Sequence, residues 1–222
     1  MKREVVVTRD GSHTISIPEQ SVTYHSIHGA IQESAHVYIR QGYHYKGRQL
    51  PGQPTNILEV GFGTGLNAFL TAIEAEATEG AVDYTAIEPF PLTPAEFKEL
   101  NYADTLNHHV LFEKLHLSRW DEEVSITAQF TLTKHQTGLQ QFSTDQLFHI
   151  IYYDAFAPSA QPELWTKEIF EKLFNWLSPG GILVTYCSKG DVRRAMMGAG
   201  LMVERLPGPP GKREMLRATK PL

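Results

Sequence analysis

The stretch that most constrains the fold runs from residue 57 to residue 67 and reads Ile-Leu-Glu-Val-Gly-Phe-Gly-Thr-Gly-Leu-Asn. Its first four residues are mostly apolar, which is typical of a buried strand in a parallel sheet. Three glycines follow at once, and residues 66 to 77 then show the apolar spacing of a helix. A strand, a glycine turn and a helix in succession are the context in which a glycine-rich motif indicates a ligand-binding loop.

The spacing of the glycines indicates which ligand the loop suits. Gly61, Gly63 and Gly65 form a G-x-G-x-G pattern, and not the G-x-G-x-x-G pattern of dinucleotide-binding folds. Glycine lets the backbone approach a ligand closely and adopt angles that a Cβ would resist. With Glu59 two residues before the first glycine, the pattern resembles motif I of the class I S-adenosyl-L-methionine (SAM) methyltransferases. A tight turn without a ligand and a nucleotide-dependent dehydrogenase are the less favoured interpretations.

Strands and helices alternate along the rest of the chain, which predicts a doubly wound α/β fold. Further strands are predicted at residues 83–88, 124–132, 148–153, 182–187, 202–206 and 214–219. Helices are predicted at residues 93–100, 162–177 and 192–199. The last two strands are expected to be antiparallel. We therefore predict a mostly parallel, seven-stranded sheet of the class I methyltransferase type.

An N-terminal extension precedes this sheet. Asp10-Gly11 lies between two β-prone runs and favours a hairpin, and residues 28–45 show helical spacing. We expect a hairpin and helix extension over residues 1–50 and a SAM-dependent methyltransferase domain over residues 51–222. The extension also supplies candidates for a lid over cofactor and substrate, although a helix that packs on the sheet would explain them nearly as well: Tyr24, Ser26, His28 and Glu33.

Composition excludes several classes of protein. The 222 residues are 41% hydrophobic and 20% charged, as in an ordinary globular domain, and contain no apolar run near the roughly 20 residues that a membrane helix needs. A single cysteine, Cys187, excludes an internal disulfide and a cysteine-based zinc site. The ten histidines show no metal-ligand spacing. We expect a cytoplasmic protein without a metal. The net charge of −5 means that any RNA-binding surface is local.

Beyond the glycine loop, five further segments closely resemble the MnmC N-terminal methyltransferase domain and its stand-alone form, MnmD. They occur at residues 88–93, 154–158, 162–166, 188–194 and 211–216 and read Glu-Pro-Phe-Pro-Leu-Thr, Asp-Ala-Phe-Ala-Pro, Pro-Glu-Leu-Trp-Thr, Ser-Lys-Gly-Asp-Val-Arg-Arg and Gly-Lys-Arg-Glu-Met-Leu. The resemblance runs from about residue 22 to residue 219.

The resemblance implies a substrate and partners. Enzymes of this family use SAM to methylate the aminomethyl group of 5-aminomethyl-2-thiouridine at the wobble position of certain tRNAs. Because the sequence stops at residue 222, we expect it to lack the C-terminal flavin oxidase domain of the two-domain form. A separate oxidase is then expected to act upstream.

The resemblance also implies a cofactor site. Glu59 would hold the amino-acid end of SAM directly or through water, or would be a strand-end carboxylate satisfied by nearby amides. Glu88 ends the second strand, where a carboxylate can bind the two ribose hydroxyls. The cofactor-binding candidates are Glu59, Gly61, Gly63, Thr64, Gly65, Asn67 and Glu88.

Asp154 is the candidate catalytic residue. It ends the fourth predicted strand, beside the topological switch point where such sheets bind ligands. Methyl transfer is an in-line displacement, so positioning supplies most of the catalysis. A carboxylate can orient the ammonium form of the acceptor and help it lose a proton. The alternative is that Asp154 only caps its loop. Phe156 and Pro158 would shape a pocket for the flipped uridine.

Basic residues near the C-terminus are candidates for tRNA contact. Lys212 and Arg213, helped by a cluster at residues 189–194, could neutralise phosphates. One feature departs from the family. Thr131–His135, placed where these enzymes often carry an acid that contacts adenine, has none. Adenine recognition is then expected to use other groups.

Two rival functions stay open from the sequence. One is a class I methyltransferase that acts on a small amine or a protein, which would not need the basic C-terminal segment. The other is a non-enzymatic tRNA-binding factor that keeps a degenerate methyltransferase fold, supported by the missing acid. Transfer of labelled methyl groups to tRNA separates the first rival, and a titration with SAM separates the second.

Overall fold

A computed structural model describes residues 2–47, 49–50 and 52–222 of the chain. Pro51, where the second predicted unit begins, lies outside the described residues, as do Met1 and Arg48. Within the described residues, no helix is long and apolar enough to cross a membrane.

The N-terminal extension begins with a small antiparallel sheet. Its strands are β1 (Glu4–Val7), β2 (His13–Ile17) and β3 (Val22–Thr23), in that order across the sheet. The hairpin predicted at Asp10-Gly11 is confirmed. Gly11 has a φ of 83°, and the Asp10 carboxylate accepts the Ser12 amide at 3.0 Å, which closes the turn.

The helix predicted at residues 28–45 is present, but most of it is π-helical. Helix α1 comprises an α-helical turn (Ala30–Ser34), a π-helical segment (Ala35–Tyr43) and a final turn (His44–Gly47). It lies directly on the sheet: a Cβ at Gly42 would be 3.0 Å from the Tyr152 ring. π-Helical hydrogen bonding is rare and is found frequently at functional sites.

The central sheet follows the predicted alternation. Its strands are β4 (Thr55–Val60), β5 (Val82–Ile87), β6 (Glu123–Ser125), β7 (Phe130–His135), β8 (Phe148–Tyr153), β9 (Leu177–Thr185), β10 (Met202–Pro207) and β11 (Glu214–Thr219). Their order is β10-β11-β9-β8-β4-β5-β7-β6. Strands β7, β5, β4, β8 and β9 are parallel, whereas β6, β10 and β11 are antiparallel to their neighbours. The doubly wound α/β fold is confirmed.

The helices between the strands begin at recognisable caps. They are α2 (Leu66–Thr78), α3 (Pro94–Lys98), α4 (Tyr102–Leu106), α5 (His109–Leu117), α6 (Lys167–Trp176) and α7 (Gly190–Gly198). Thr93 caps α3 as predicted, in a reciprocal pair with Glu96. The helix predicted at residues 162–177 starts later than expected, because the Thr166 hydroxyl caps α6 by accepting from the Ile169 amide.

The strand predicted at residues 124–132 is wrong. This region forms a hairpin, and the sheet has eight strands within the described residues instead of seven. The Ile126 amide donates to the Phe130 carbonyl at 2.9 Å and closes the turn. Both of these side chains are buried, so the apolar alternation continues across the turn and resembles one strand.

The strand predicted at residues 182–187 begins earlier than expected, because residues 177–181 also belong to β9. Between the pairs Phe148 with Leu177 and Ile150 with Ile182, the β8–β9 ladder shifts register. Gly180, with a φ of 69°, lies in the irregular part. The additional residues of β9 between these pairs form a bulge, and the strand continues beyond it.

Two apolar layers enclose the sheet. Ile57 and Ile150 face the cluster that includes α1 and α2, whereas Leu58 and Ile151 face the cluster under α6 and α7. Strands β4, β5 and β8 are therefore buried on both faces. Their carboxyl ends lie level, because Val60 pairs with both Ile87 and Tyr153.

Candidate functional site

A cavity of about 570 Å³ opens at the carboxyl ends of these strands. Three loops from the sheet line it, at residues 61–64 after β4, 88–90 after β5 and 154–156 after β8, together with residues 137–141 after β7. The N-terminal extension contributes Arg3, Ile17, Gln20, Tyr24 and His25. The volume is that of a site for a drug-sized ligand.

The glycine loop packs too tightly to carry side chains. Gly61, Gly63 and Gly65 all have positive φ, at 93°, 50° and 70°. A Cβ at Gly61 would be 2.8 Å from the Asp154 carbonyl oxygen, and a Cβ at Gly63 would be 2.9 Å from the Tyr24 ring. The loop therefore keeps its backbone at the cavity surface only with glycine at these positions.

Glu88 joins the loop after β5 to the glycine loop. One carboxylate oxygen accepts the Gly63 amide and the other accepts the Phe90 amide, both at 2.9 Å. Burial raises the pKa of Glu88. A carboxylate has about four lone-pair sites, so two remain for hydroxyl donors in the cavity.

Asp154 is held by hydrogen bonds on both oxygens. The Tyr38 hydroxyl donates to Oδ1 at 2.6 Å, and the Asn67 side-chain amide donates to Oδ2 at 2.8 Å. Burial raises the pKa of Asp154 to about 7. The carboxyl group therefore has a fixed orientation and exchanges its proton near neutral pH.

Glu59 is linked to the site through a hydrogen bond with Asn67. The side chain of Glu59 is fully buried, and its Oε1 accepts from the Asn67 amide at 2.9 Å. Burial raises the pKa of Glu59 well above its usual value. Glu59 Oε2 and Asn67 Oδ1 make no hydrogen bond within the described residues. Buried polar atoms of this kind indicate a place for water or a ligand group.

The N-terminal extension forms a wall of the cavity. The Tyr24 ring covers Gly63 and meets the Phe156 ring edge-on at 5.2 Å. His25 Nε2 lies 2.6 Å from the Thr64 hydroxyl. Burial lowers the pKa of His25 to about 4, so this histidine is neutral at pH 7.

Six of the twelve predicted site residues line the cavity, and the other six lie outside its lining. Those that line the cavity are Gly61, Gly63, Thr64, Glu88, Asp154 and Phe156. Those outside the cavity lining are Glu59, Gly65, Asn67, Pro158, Lys212 and Arg213. Pro158 lies in a turn after Phe156, and Arg213 is exposed.

Tyr38, His25 and Arg3 were not predicted as site residues. Tyr38 lies in the segment predicted to be helical and fits its apolar spacing. A buried tyrosine hydroxyl usually needs a hydrogen-bond partner, and this was the signal that could have identified Tyr38. Arg3 donates to the Phe90 carbonyl at 2.6 Å. No sequence pattern around Arg3 indicates this contact.

The segment that the sequence places where related enzymes often carry an acid, Thr131–His135, lies within β7. The residues after β7 that reach the cavity are those of the following loop, 137–141. That loop reads Thr-Gly-Leu-Gln-Gln and also contains no acid. In the described residues, no group of three or more His, Cys, Asp or Glu side chains could hold a metal ion.

Comparisons with known proteins identify related sequences. The sequence model described as S-adenosyl-L-methionine-dependent methyltransferase matches residues 95–221. The tRNA 5-methylaminomethyl-2-thiouridine biosynthesis bifunctional protein MnmC of Pseudomonas fluorescens (strain Pf0-1) is 34% identical over 72% of this chain and 26% of its own. The protein of that name from Chromobacterium violaceum is 31% identical over 86% of this chain and 31% of its own. The chain thus spans about a quarter to a third of the length of these curated relatives.

Solved structures agree on the fold. The crystal structure of MNMC2 from Aquifex aeolicus superposes with a TM-score of 0.80 and 24% identity, over 100% of this chain and 72% of that chain. Spermidine synthase from Thermotoga maritima superposes with a TM-score of 0.56 and 11% identity, over 98% of this chain and 68% of that chain. At these identities, the likeness shows the architecture alone.

Proposed function

The chain belongs to the S-adenosyl-L-methionine-dependent methyltransferase family, and we propose that it methylates the aminomethyl nitrogen of 5-aminomethyl-2-thiouridine at the wobble position of tRNA. The product is 5-methylaminomethyl-2-thiouridine. The names of its MnmC relatives support this substrate. The observation that carries the proposal is the hydrogen-bonded Asp154 carboxyl at the cavity, between the glycine loop and Phe156.

The residues of the cavity fit SAM. Gly61 and Gly63 leave the loop surface free of side chains, and a Cβ at either position would overlap its surroundings. The spare lone pairs of Glu88 suit the two ribose hydroxyls. SAM supplies a methyl group on a sulfonium: the nitrogen lone pair forms the new N–C bond while the C–S bond breaks and its electron pair stays on sulfur.

Asp154 prepares the acceptor nitrogen. An amine is nucleophilic only when it is neutral, so the ammonium form of the substrate has to lose one proton. The raised pKa of Asp154, about 7, allows its carboxylate to bind the ammonium and to take that proton near neutral pH. Tyr38 and Asn67 hold both oxygens in place and so orient the amine.

Phe156 and Pro158 are our candidates for the uridine pocket. Phe156 lines the cavity, and its backbone is held in place because the Trp165 indole donates to the Phe156 carbonyl at 2.8 Å. An aromatic face suits stacking with a base that has left its stack. Pro158 shapes the turn that follows.

The proposal is tested by mass spectrometry of tRNA nucleosides. Incubating the protein with SAM and tRNA that contains 5-aminomethyl-2-thiouridine should add one methyl group to that nucleoside. Unmodified tRNA and free small amines are the controls. Methylation of amines or proteins without methylation of tRNA would overturn the proposed substrate. Calorimetry that detects no SAM binding would favour the non-enzymatic tRNA-binding factor.

The phosphate contact proposed for Arg213 gives a separate prediction. We place the β10–β11 link on the tRNA-facing surface, and Arg213 tests this best because it is exposed, whereas the ammonium of the neighbouring Lys212 is paired with Glu33. Arg213→Ala should weaken binding of all tRNA sequences and reduce the slope of log K against log salt by about 1. SAM affinity should stay unchanged. The measurement is tRNA binding by anisotropy at several salt concentrations.

A matched control is Arg119→Ala. This arginine is also exposed, but it precedes β6 at the edge of the sheet opposite β10. Equal losses in the two variants, or an unchanged salt slope in Arg213→Ala, would show that the RNA does not lie along the β10–β11 link.

The proposal includes two further elements. The enzyme works in the cytoplasm, together with its tRNA substrate. The MnmC relatives are bifunctional by name, and in our proposal the second activity is an oxidase partner that acts upstream and supplies the aminomethyl group.

A further inference from the structure

A buried ion pair joins the N-terminal extension to the link between β10 and β11. Lys212 Nζ lies 2.5 Å from Glu33 Oε2. The Glu33 side chain is only 5% exposed and that of Lys212 is 29% exposed. Glu33 Oε1 accepts the Ser26 amide at 2.9 Å. Loss of Lys212 would leave the charge of Glu33 buried and without its counterion.

The pair is connected to the Asp154 segment from two sides. Lys212 Nζ lies 3.9 Å from the centroid of the Tyr186 ring, a cation–π contact. The Tyr186 hydroxyl donates to the carbonyl of Ala155, the residue after Asp154, at 2.8 Å. On the other side, Tyr38 belongs to the same helix as Glu33 and donates to Asp154.

The two charges act on Asp154 in opposite directions. Burial raises the pKa of Asp154, the Glu33 charge raises it further, and the Lys212 charge lowers it. Six titratable groups face Asp154 from five parts of the fold: Glu33 and Tyr38 on α1, Glu59 on β4, Tyr84 on β5, Tyr186 after β9 and Lys212 between β10 and β11. Of these, Lys212 is the cation, so it is the group that favours the negative form of Asp154.

We propose that Glu33 and Lys212 are positioning residues that together set how much of Asp154 is negatively charged when the acceptor amine binds. This inference rests on the proposed function, because it needs Asp154 to accept the proton of the amine. Because the pair joins the N-terminal extension to the β10–β11 link, the charged fraction of Asp154 also depends on docking of the extension against that link. If one of the two charges were absent, the pH optimum of methyl transfer would change.

The test is the pH dependence of methyl transfer to tRNA in three variants. Transfer is expected to fall as the pH drops through the Asp154 pKa, because the protonated carboxyl cannot take a proton. We call this fall on the acidic side of the pH–rate profile the acid limb. Glu33→Gln removes a negative charge, so it should move the acid limb to lower pH by about one unit. Lys212→Met removes the positive charge and should move it to higher pH by about one unit. In the double variant the limb should return close to that of the wild type.

Two sets of controls separate positioning from a structural role. Lys212→Arg keeps the charge and the ring contact and should leave the limb in place. Lys167→Met and Glu171→Gln break an exposed ion pair on α6 and should not move the limb either. Thermal unfolding and SAM calorimetry check each variant. If Lys212→Met does not fold, the shift in Glu33→Gln alone decides.

Opposite shifts in the two single variants would support the inference. Shifts in the same direction, or slower transfer with an unmoved limb, would overturn it. A wild-type protein that transfers no methyl group to tRNA would overturn the proposed function as well. An active wild type with unmoved limbs would overturn only the role of the pair.

Discussion

Replacing Asp154 by alanine should slow methyl transfer to tRNA by on the order of 10²-fold or more, the scale of a positioned acid-base group. The variant loses the carboxylate that orients the amine and accepts its proton, while the glycine loop and Glu88 stay in place. SAM affinity should therefore change far less than the rate. Single-turnover transfer of labelled methyl groups and SAM calorimetry measure the two quantities.

Two further variants make this result specific. Asp154→Asn keeps the shape of the side chain but cannot accept a proton, and it should be nearly as slow as Asp154→Ala. Asp145→Ala removes an exposed acid outside the cavity lining and should be fully active. If Asp154→Asn keeps its rate within a few-fold, Asp154 serves the loop and the centre of catalysis lies elsewhere.

Replacing Gly63 by valine should abolish SAM binding in a folded protein. The new side chain would point at the Tyr24 ring, which lies 2.9 Å from an ideal Cβ, and either the ring or the loop has to move into the cavity. The φ of 50° adds strain of its own. We expect affinity for SAM to fall by at least about 100-fold, equal to roughly 2.7 kcal/mol, in a calorimetric titration.

Gly11→Val is the matched control. Gly11 also has a positive φ, of 83°, but a Cβ there meets nothing within 4 Å. Both variants should lose stability from backbone strain, and only the Gly63 variant should lose SAM. Normal SAM affinity in folded Gly63→Val would contradict the assignment of the loop.

Local patterns along the sequence predict the part of the site that a single strand and turn build. Residues 57–67 give strand, loop and helix in the correct order, because burial on both faces requires an apolar run and the turn requires glycine. The positions of Glu88 and Asp154 are also predictable. Parallel strands end at the same edge of a sheet, so the acidic residues that follow β5 and β8 both lie at the cavity.

Tertiary contacts that bring distant segments together are not visible in such patterns. Tyr38 fits an apolar helical stripe, and its bond to Asp154 depends on how α1 lies on the sheet. Lys212 resembles a surface charge until its partner Glu33 is seen. The hairpin formed by β6 and β7 was missed for a related reason, since burial of Ile126 and Phe130 on both sides of the turn preserved the alternation.

The contacts of helix α1 have a consequence for how the protein is made. Glu33 contacts Lys212, which follows it by 179 positions in the sequence, and the Gln41 carbonyl accepts from Arg217, which follows it by 176 positions. At a synthesis rate of about 5–20 residues per second, the helix emerges from the ribosome roughly 10 to 40 s before these partners exist. The helix can pack on the earlier strands during that interval, but its last contacts with the rest of the fold form only after β11 has been synthesised.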